Sequence, residues 1–320
     1  LQLDAYDAEA NFMAGILYQA VGPVADARDA FGWAARSVAY RSAAYTRLAE
    51  IMLRERAFAE VERYAFLALG FDQDNIPARR LMAVWGRETG RASFAEIARD
   101  GLLVTDPLAA FPRAETFLAS PGPDTGAALV QALGGEYPEQ TLLELAINYV
   151  RWGRHADAEF LLGLSAKSGE NSRPAVPGTP VLQAWEAWLA GNPGLLARDE
   201  AWPASSLNLA FAFPYRPESS PVLEWATLNS HDWEWEYLLA LNLWAVDRRD
   251  EAASILQALG SDPDFGPVYA ARAQLLEETR GADPEEDLRR AVEMDPESRI
   301  LRIHLIRHYQ DKAEWSAALE

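Results

Sequence analysis

The sequence predicts an all-α fold built from repeated pairs of antiparallel helices. Small residues recur every 34 positions, and large apolar residues flank them at helical spacing. The only run with strand-like alternation, residues 207–213, is short, so no sheet is predicted. The chain has 320 residues, of which 49% are hydrophobic and 24% charged. That balance is ordinary for a globular protein and argues against disorder.

The repeat is clearest in the first third of the chain. Gly15, Ala49 and Ala83 are each separated by 34 residues. The same step joins Ala27, Val61 and Ala95, which we place in the second helix of each pair. Two helices approach closely only where their crossing point carries small side chains, so we expect these positions at helix crossings. Because one pair cannot bury its apolar face alone, neighbouring pairs should stack on it.

The same spacing returns later in the chain, which sets the predicted domain organisation. Later copies contain Ala146 with Ala158, Ala240 with Ala252, and Ala273 with Ala291. The predicted segments are a block of three repeats over 1–109, a connector over 110–138, one repeat over 139–172, an irregular Trp/Pro-rich helical segment over 173–232, and a second block over 233–320. We expect the last repeat to stop inside its second helix.

These residues resemble the tetratricopeptide repeat (TPR). Asp106-Pro107 and Asp295-Pro296 stand where that family places its repeat-ending proline, a residue that stops a helix. The signature Trp of the family is replaced, for example by Asn11 and Tyr45. The resemblance implies a TPR-like right-handed α–α superhelix with irregular inserts, and a role as a protein-interaction scaffold.

A second resemblance concerns larger bacterial proteins. Residues 29–45, Phe213–Glu218 with Val222–Trp225, and Asp262–Phe265 resemble the C-terminal helical region of proteins that carry a DUF5107 domain. In that family a β-rich, carbohydrate-enzyme-like domain precedes the helical repeats. The resemblance implies that any catalytic domain lies upstream of Leu1 and that this chain is a C-terminal fragment.

Charge and composition exclude several classes of function. The net charge of −19 would repel nucleic-acid phosphates and anionic membrane surfaces. The chain lacks cysteine, which excludes disulfides, thiolate nucleophiles and zinc sites with cysteine ligands. No signal peptide precedes the helices, so the cytoplasm is favoured, although the compartment is not fixed.

Candidate binding residues follow from the repeat register, because repeat proteins bind along the inner face of their first helices. The predicted partner-binding residues are Glu50, Arg54, Arg80, Arg87, Arg151, Tyr237, Trp244 and Arg307, accompanied by Glu88 and Gln274. They could hold a peptide or a neighbouring domain by ion pairs and aromatic contacts. The alternative is a solvated helix face. The partner would be a protein or peptide, the chain's own upstream domain, or a second copy.

The segment around residues 185–244 is rich in tryptophan, with seven of the eleven Trp residues. Trp233 and Trp235 could stack on sugar rings while Asp232, Glu234 and Glu236 bind hydroxyls. The alternative is that these large rings pack in the core. Burial of both Trp233 and Trp235 would exclude the sugar subsite.

The sequence offers little for catalysis or metal binding. His304 and His308 have the i, i+4 spacing of two metal ligands, but a third ligand is not evident, so we predict no metal. There is no phosphate-binding Gly loop and no nucleophile elbow, so we predict no cofactor and no catalytic residue. The favoured function is an interaction scaffold. The alternative is the accessory region of a carbohydrate-active enzyme.

Overall fold

We describe the protein from a computed structural model. The structure describes residues 6–135, 137–165, 179–191, 209, 214–230 and 232–314. Within these ranges all regular secondary structure is helical, which confirms the all-α prediction. The strand-like run over 207–213 lies outside the described residues, apart from Leu209. The chain divides into two compact units, Leu1–Gly178 and Thr179–Glu320.

The described residues of the N-terminal unit form ten helices in five successive pairs. Within each pair the two helices pack on each other. In order they are α1 Ala8–Val21, α2 Val24–Ala34, α3 Arg41–Arg54, α4 Phe58–Phe71, α5 Ile76–Glu88, α6 Ala92–Thr105, α7 Ala110–Ala119, α8 Pro123–Ala132, α9 Pro138–Arg151 and α10 His155–Leu162. The predicted connector over 110–138 is thus itself a helix pair. Its repeat pattern is weak because α7 and α8 have only ten residues each.

The C-terminal unit contains seven described helices. They are α11 Pro180–Leu189, α12 Ser220–Asn229 after a 3₁₀ turn at Pro217–Ser219, α13 Trp233–Ala245, α14 Arg249–Ala258, α15 Gly266–Arg280, α16 Glu285–Met294 and α17 Arg299–Asp311. Helices α13 and α14 form one pair, and α15 and α16 form the next. The predicted second helix of the last repeat falls on residues 315–320, which lie outside the described part of the chain.

The small residues lie at buried helix crossings, as the 34-residue spacing predicts. Gly15, Ala49 and Ala83 are all buried in the first helices of their pairs. A methyl group at Gly15 would lie only 2.6 Å from Cε1 of Phe31, so α1 and α2 approach too closely for a larger side chain. In the next pair the small second-helix residue is also enclosed, since Val61 of α4 is fully buried. Each unit therefore has its core between helices that cross at compact residues.

One turn geometry recurs in five of the described helix pairs, namely α3–α4, α5–α6, α9–α10, α13–α14 and α15–α16. A residue with a left-handed backbone conformation follows the first helix at Arg56, Gly90, Gly153, Asp247 and Gly281. At Gly153 the next amide, Arg154 N–H, donates to the Tyr149 carbonyl at 2.7 Å, and Arg91 N–H donates to the Gly86 carbonyl in the same way. This is the Schellman ending, which satisfies the last carbonyls of a helix and reverses the chain. The second helices end just before Asp106-Pro107 and Asp295-Pro296, as the proline rule predicts.

Candidate functional site

Part of the predicted binding surface of the N-terminal unit is covered by the chain itself. Arg54 and Glu88 are the last residues of α3 and α5, and the turn between α9 and α10 lies against both helix ends. A methyl group at Gly153 in that turn would lie 3.4 Å from both Cγ and the carbonyl oxygen of Arg54. Arg154, the next residue, forms an ion pair with Glu88. The α9–α10 turn therefore covers part of the predicted inner face.

Arg87 is the centre of a buried ion cluster formed with Glu115, Asp157 and Tyr149. Its Nε donates to Glu115 Oε2 at 2.9 Å, and its Nη2 donates to Asp157 Oδ2 at 2.6 Å. The Tyr149 hydroxyl donates to Glu115 Oε1 at 2.7 Å. The Glu115 side chain has no exposed surface. We call this set the Arg87 cluster. All three guanidinium nitrogens of Arg87 donate to these two carboxylates.

The electrostatics of the Arg87 cluster follow from burial and charge together. Burial alone would lower the pKa of Arg87, but the carboxylates of Glu115 and Asp157 reverse this and raise it. Burial and the neighbouring Glu115 raise the pKa of Tyr149 well above its ordinary value. Arg87 therefore stays charged and Tyr149 neutral. The prediction that Arg87 faces a partner is corrected: it pairs with α7 and α10, because Glu115 and Asp157 supply the counter-charge.

A second buried pair lies beside the cluster. Arg154 Nε is 2.8 Å from Glu88 Oε1, and its Nη2 donates to the Leu53 carbonyl at the end of α3. Burial raises the pKa of Glu88 and lowers the pKa of Arg154, since both charges are withdrawn from water. Glu88 is thus also paired within the chain, so the prediction that it binds a partner needs the same correction.

Arg80 and Glu50 are placed differently. The Arg80 guanidinium lies over the Phe111 ring at 5.3 Å, and its Nε is buried without a hydrogen-bond partner among the described residues. Burial lowers the pKa of Arg80. Glu50 is half-buried and accepts a hydrogen bond from Arg47 at 2.8 Å. Neither side chain projects freely from the inner face.

Sequence reasoning missed Glu115 and Asp157 as partners of Arg87. One signal was available for Glu115, because it shares a helical face with Phe111 and Pro112, both of which are buried. A lone acid on an apolar helix face needs a buried counter-charge. No local pattern pointed to Asp157, which is 70 residues from Arg87.

The C-terminal unit brings two predicted residues together in an open groove. Gln274 on α15 and Arg307 on α17 line one cavity of about 660 Å³, with His304 beside them. Gln274 and Arg307 are both exposed. The floor contains Ala270 and Ala273, so the groove combines small apolar residues with polar walls. We call it the α15–α17 groove.

The other predicted residues are not part of this groove. Tyr237 is buried against the ring of Phe265 at 6.1 Å, and burial raises its pKa to about 12. The prediction that Tyr237 binds a partner is therefore corrected, because its side chain belongs to the core of α13. Trp244 is half-buried on the same helix, and Arg151 is exposed at the end of α9.

The described part of the tryptophan-rich segment contributes two tryptophan rings to the core. Trp185 and Trp235 are buried, while Trp188, Trp225 and Trp233 are half-buried. Glu234, one of the acids predicted to bind sugar hydroxyls, is buried as well. Trp202 lies outside the described residues. Trp235 and Glu234 are thus inaccessible to a surface sugar, although Trp233 keeps part of its ring exposed.

The predicted histidine pair lies near a cluster with metal-ligand geometry. Ligand atoms of Asp283, Glu285 and His308 lie within 4.8 Å of one another. The Lys312 ammonium lies 2.8 Å from Asp283 and 3.4 Å from Glu285, so it already supplies the positive charge. His304 is not in this cluster. The arrangement fits a lysine–carboxylate pair better than a cation site. In the described residues no helix is both long and apolar enough to span a bilayer.

Solved structures similar to this chain are repeat proteins. A tetratricopeptide repeat protein from Parabacteroides merdae is 14% identical over 98% of this chain and 99% of its own, with a TM-score of 0.31. The P58(IPK) TPR domain is 15% identical over 98% and 91%, with a TM-score of 0.28. A chain of the APC/C hetero-tetramer Cut9–Hcn1 is 12% identical over 88% and 52%, with a TM-score of 0.31.

These superpositions are too loose to carry an argument, so the fold rests on the repeat geometry itself. No family model matches the sequence, and no curated protein matches it. The resemblance to DUF5107-associated proteins stays a prediction. Helix pairs that follow a 34-residue period, have compact crossings and share one turn geometry in five cases make the chain an all-α, TPR-like repeat protein.

Proposed function

We propose that the chain is a scaffold that binds a protein partner through the α15–α17 groove of its C-terminal unit. The observation that carries the proposal is that Gln274 and Arg307, chosen from the repeat register alone, line the same open cavity. Two of the predicted residues of the N-terminal unit, Arg87 and Glu88, are instead paired within the chain.

The lining suits an extended peptide. Arg307 can pair with a carboxylate, and the exposed amide of Gln274 can exchange its bond to Glu278 for a peptide backbone group. Ala270 and Ala273 leave room for a peptide side chain between the helices. The net charge of −19 disfavours nucleic acid as the partner. The peptide belongs either to a separate protein or to another part of the same polypeptide.

Peptide selection on the whole chain tests this proposal. Peptides selected from a displayed library on the wild-type chain should bind Arg307→Glu at least tenfold more weakly, because the substitution reverses the charge in the groove. Arg302→Glu is the matched control, since Arg302 is exposed on the same helix and does not line the cavity. Equal loss of binding in both variants, or no loss in either, would contradict the proposal.

The alternative function, an accessory region of a carbohydrate-active enzyme, stays a prediction. Burial of Trp235 and Glu234 removes two of the groups on which a sugar subsite would depend. That the chain is not itself an enzyme is likewise still a prediction. The sequence upstream of Leu1 would discriminate the two functions. Paired carboxylates in a β-rich domain there would favour the accessory region of a carbohydrate-active enzyme.

A further inference from the structure

A groove with three arginines lies on the N-terminal unit, away from the Arg87 cluster in sequence. Its volume is about 680 Å³, and its lining comes from α2, α3 and α4 with the turn that joins α2 to α3. Arg36, Arg41 and Arg63 line it together with aromatic residues. No aspartate or glutamate is among the lining residues, all of which the structure describes. We call it the arginine groove.

The aromatic wall of the arginine groove is ordered by ring stacking. Tyr45 stacks on Tyr64 at 5.9 Å and on Phe71 at 6.1 Å between ring centroids. Phe71 is half exposed, and Leu67 beside it is also accessible. This wall offers an apolar surface to a side chain that enters from solvent.

The arginines of the groove keep N–H donors available for a ligand. The guanidinium of Arg63 lies 4.4 Å from the Tyr64 ring centroid, and that of Arg41 lies 4.7 Å from the Phe71 ring centroid. A guanidinium stacked on a ring keeps its N–H edge free for a carboxylate. Arg41 uses part of its edge on the carbonyls of Ala35 and Arg36. Among the described residues none of the three arginines forms an ion pair with a carboxylate.

This arrangement is unusual for the chain that contains it. The protein has 48 acidic residues against 29 basic ones, and several arginines elsewhere in both units pair with carboxylates. Three arginines that share one groove without a carboxylate therefore form a local cationic surface on an anionic protein. Such a surface selects anionic ligands by charge complementarity, while the rest of the chain repels them.

We propose that the arginine groove binds an acidic segment of a partner protein, with carboxylates on Arg36, Arg41 and Arg63 and an apolar side chain against Tyr45 and Phe71. This site is separate from the α15–α17 groove, and the inference goes beyond the proposed function. The combination of aromatic wall and guanidinium edges matches a peptide that alternates acidic and apolar residues.

The binding test uses a fluorescein-labelled peptide, Asp-Glu-Leu-Asp-Glu-Phe-Asp-Glu, and anisotropy measured with the full chain. The wild-type chain should bind it, and the affinity should fall as salt is raised. Arg36→Gln combined with Arg63→Gln should weaken binding at least tenfold. Arg299→Gln combined with Arg302→Gln removes the same charge from exposed positions on α17 and should leave the affinity within twofold.

A glycine pair supplies a second, independent test. Gly32 lines the arginine groove, and an added Cβ there would meet nothing within 4 Å. Gly32→Glu should therefore fold normally while placing a competing carboxylate in the groove, and it should reduce peptide affinity at least fivefold. Gly70→Glu changes the charge equally, also in open space, but Gly70 does not line the groove. Thermal melts followed by circular dichroism confirm that the variants are folded.

The binding results distinguish support for the arginine groove from its rejection. Loss of binding in the arginine and Gly32 variants, with both controls unaffected, supports the site. Absence of binding up to millimolar peptide overturns the proposal, as does equal binding by Gly32→Glu and Gly70→Glu. Tighter binding of a single-stranded oligonucleotide of equal charge would also overturn it, because the groove would then recognise phosphates rather than an acidic peptide. Arg307→Glu should leave this peptide's affinity unchanged, so the two proposals fail independently.

Discussion

The two units differ in what happens to the first-helix residues that were predicted to bind a partner. In the N-terminal unit Arg87 and Glu88, at the end of α5, pair with Asp157 and Arg154 of the α9–α10 hairpin. In the C-terminal unit Gln274 and Arg307 remain exposed along a cavity of about 660 Å³. Residues of the same predicted face thus form ion pairs within the chain in one unit and line an open groove in the other. Charge and packing at particular residues, rather than the repeat itself, decide which inner face can bind.

The largest effect is expected from removing Glu115, the buried acid of the Arg87 cluster. Glu115→Ala leaves Arg87 short of a counter-charge and the Tyr149 hydroxyl without its acceptor. We expect a loss of roughly 3 kcal/mol in unfolding free energy, because breaking a buried ion pair strands the remaining charge. Chemical denaturation measures the loss. Amide exchange should rise in α5, α7 and α9 but not in α13–α17.

The control for this substitution is Glu96→Ala, an exposed acid on α6 in the same unit. Its effect should stay below about 0.5 kcal/mol, as for most surface substitutions. If Glu115→Ala cost no more than this control, the Arg87 cluster would not hold the α9–α10 hairpin in place.

Equivalent turns in the two units give a smaller, paired prediction. Arg56 and Asp247 occupy the same turn position with φ of 61° and 65°. A left-handed conformation is unfavourable for arginine, so Arg56→Gly should stabilise the chain by about 0.5–1 kcal/mol. Asp247→Gly should gain less, because aspartate tolerates this conformation and Asp247 also accepts a bond from Arg249 at 2.8 Å. Urea midpoints compare the two, and a larger gain at Asp247 would refute the ranking.

The smallest expected effect concerns pH and the C-terminal unit. Burial raises the pKa of Glu234 above its ordinary value of 4.5. A raised folded-state pKa means that protonated Glu234 stabilises the fold below the unfolded pKa, and that this contribution is lost as pH rises through the folded value. Glu234→Gln should therefore stabilise the chain at pH 7, on the order of 0.5 kcal/mol, and the gain should vanish below pH 4.5.

The matched variant here is Glu236→Gln, which removes the same charge from the same turn of α13. Subtracting its effect corrects for the change in net charge. A gain for Glu234→Gln that persisted unchanged into acid would show that burial of this carboxyl does not limit stability.

The sequence predicted the fold well because its signals are local. Small residues at Gly15, Ala49 and Ala83 report helix crossings directly, since only compact side chains allow that approach. The short pair α7–α8 falls in the segment that the sequence predicts only as a connector. Its prolines and glycines interrupt the pattern that longer helices display.

The sites were less predictable because they depend on distant pairing. The register placed Gln274 and Arg307 on one inner face, and both line the α15–α17 groove, but it also assigned the buried Tyr237 to that face. Arg87 was predicted to face a partner because nothing near it in sequence reveals Asp157. Similarly, the arginine groove combines residues from three helices, and its lack of acids becomes visible only once those helices are packed.

The contact between Arg154 and the Leu53 carbonyl joins residues 101 positions apart. In a simple repeat array each repeat contacts only its neighbours, so repeats can unfold one after another from the ends of the array. This bond, together with the Arg87 cluster, ties the second, third and fourth pairs to the fifth. The N-terminal unit should therefore unfold as one cooperative block. It should also fold more slowly than its helix content suggests, because a long loop must close before these contacts form.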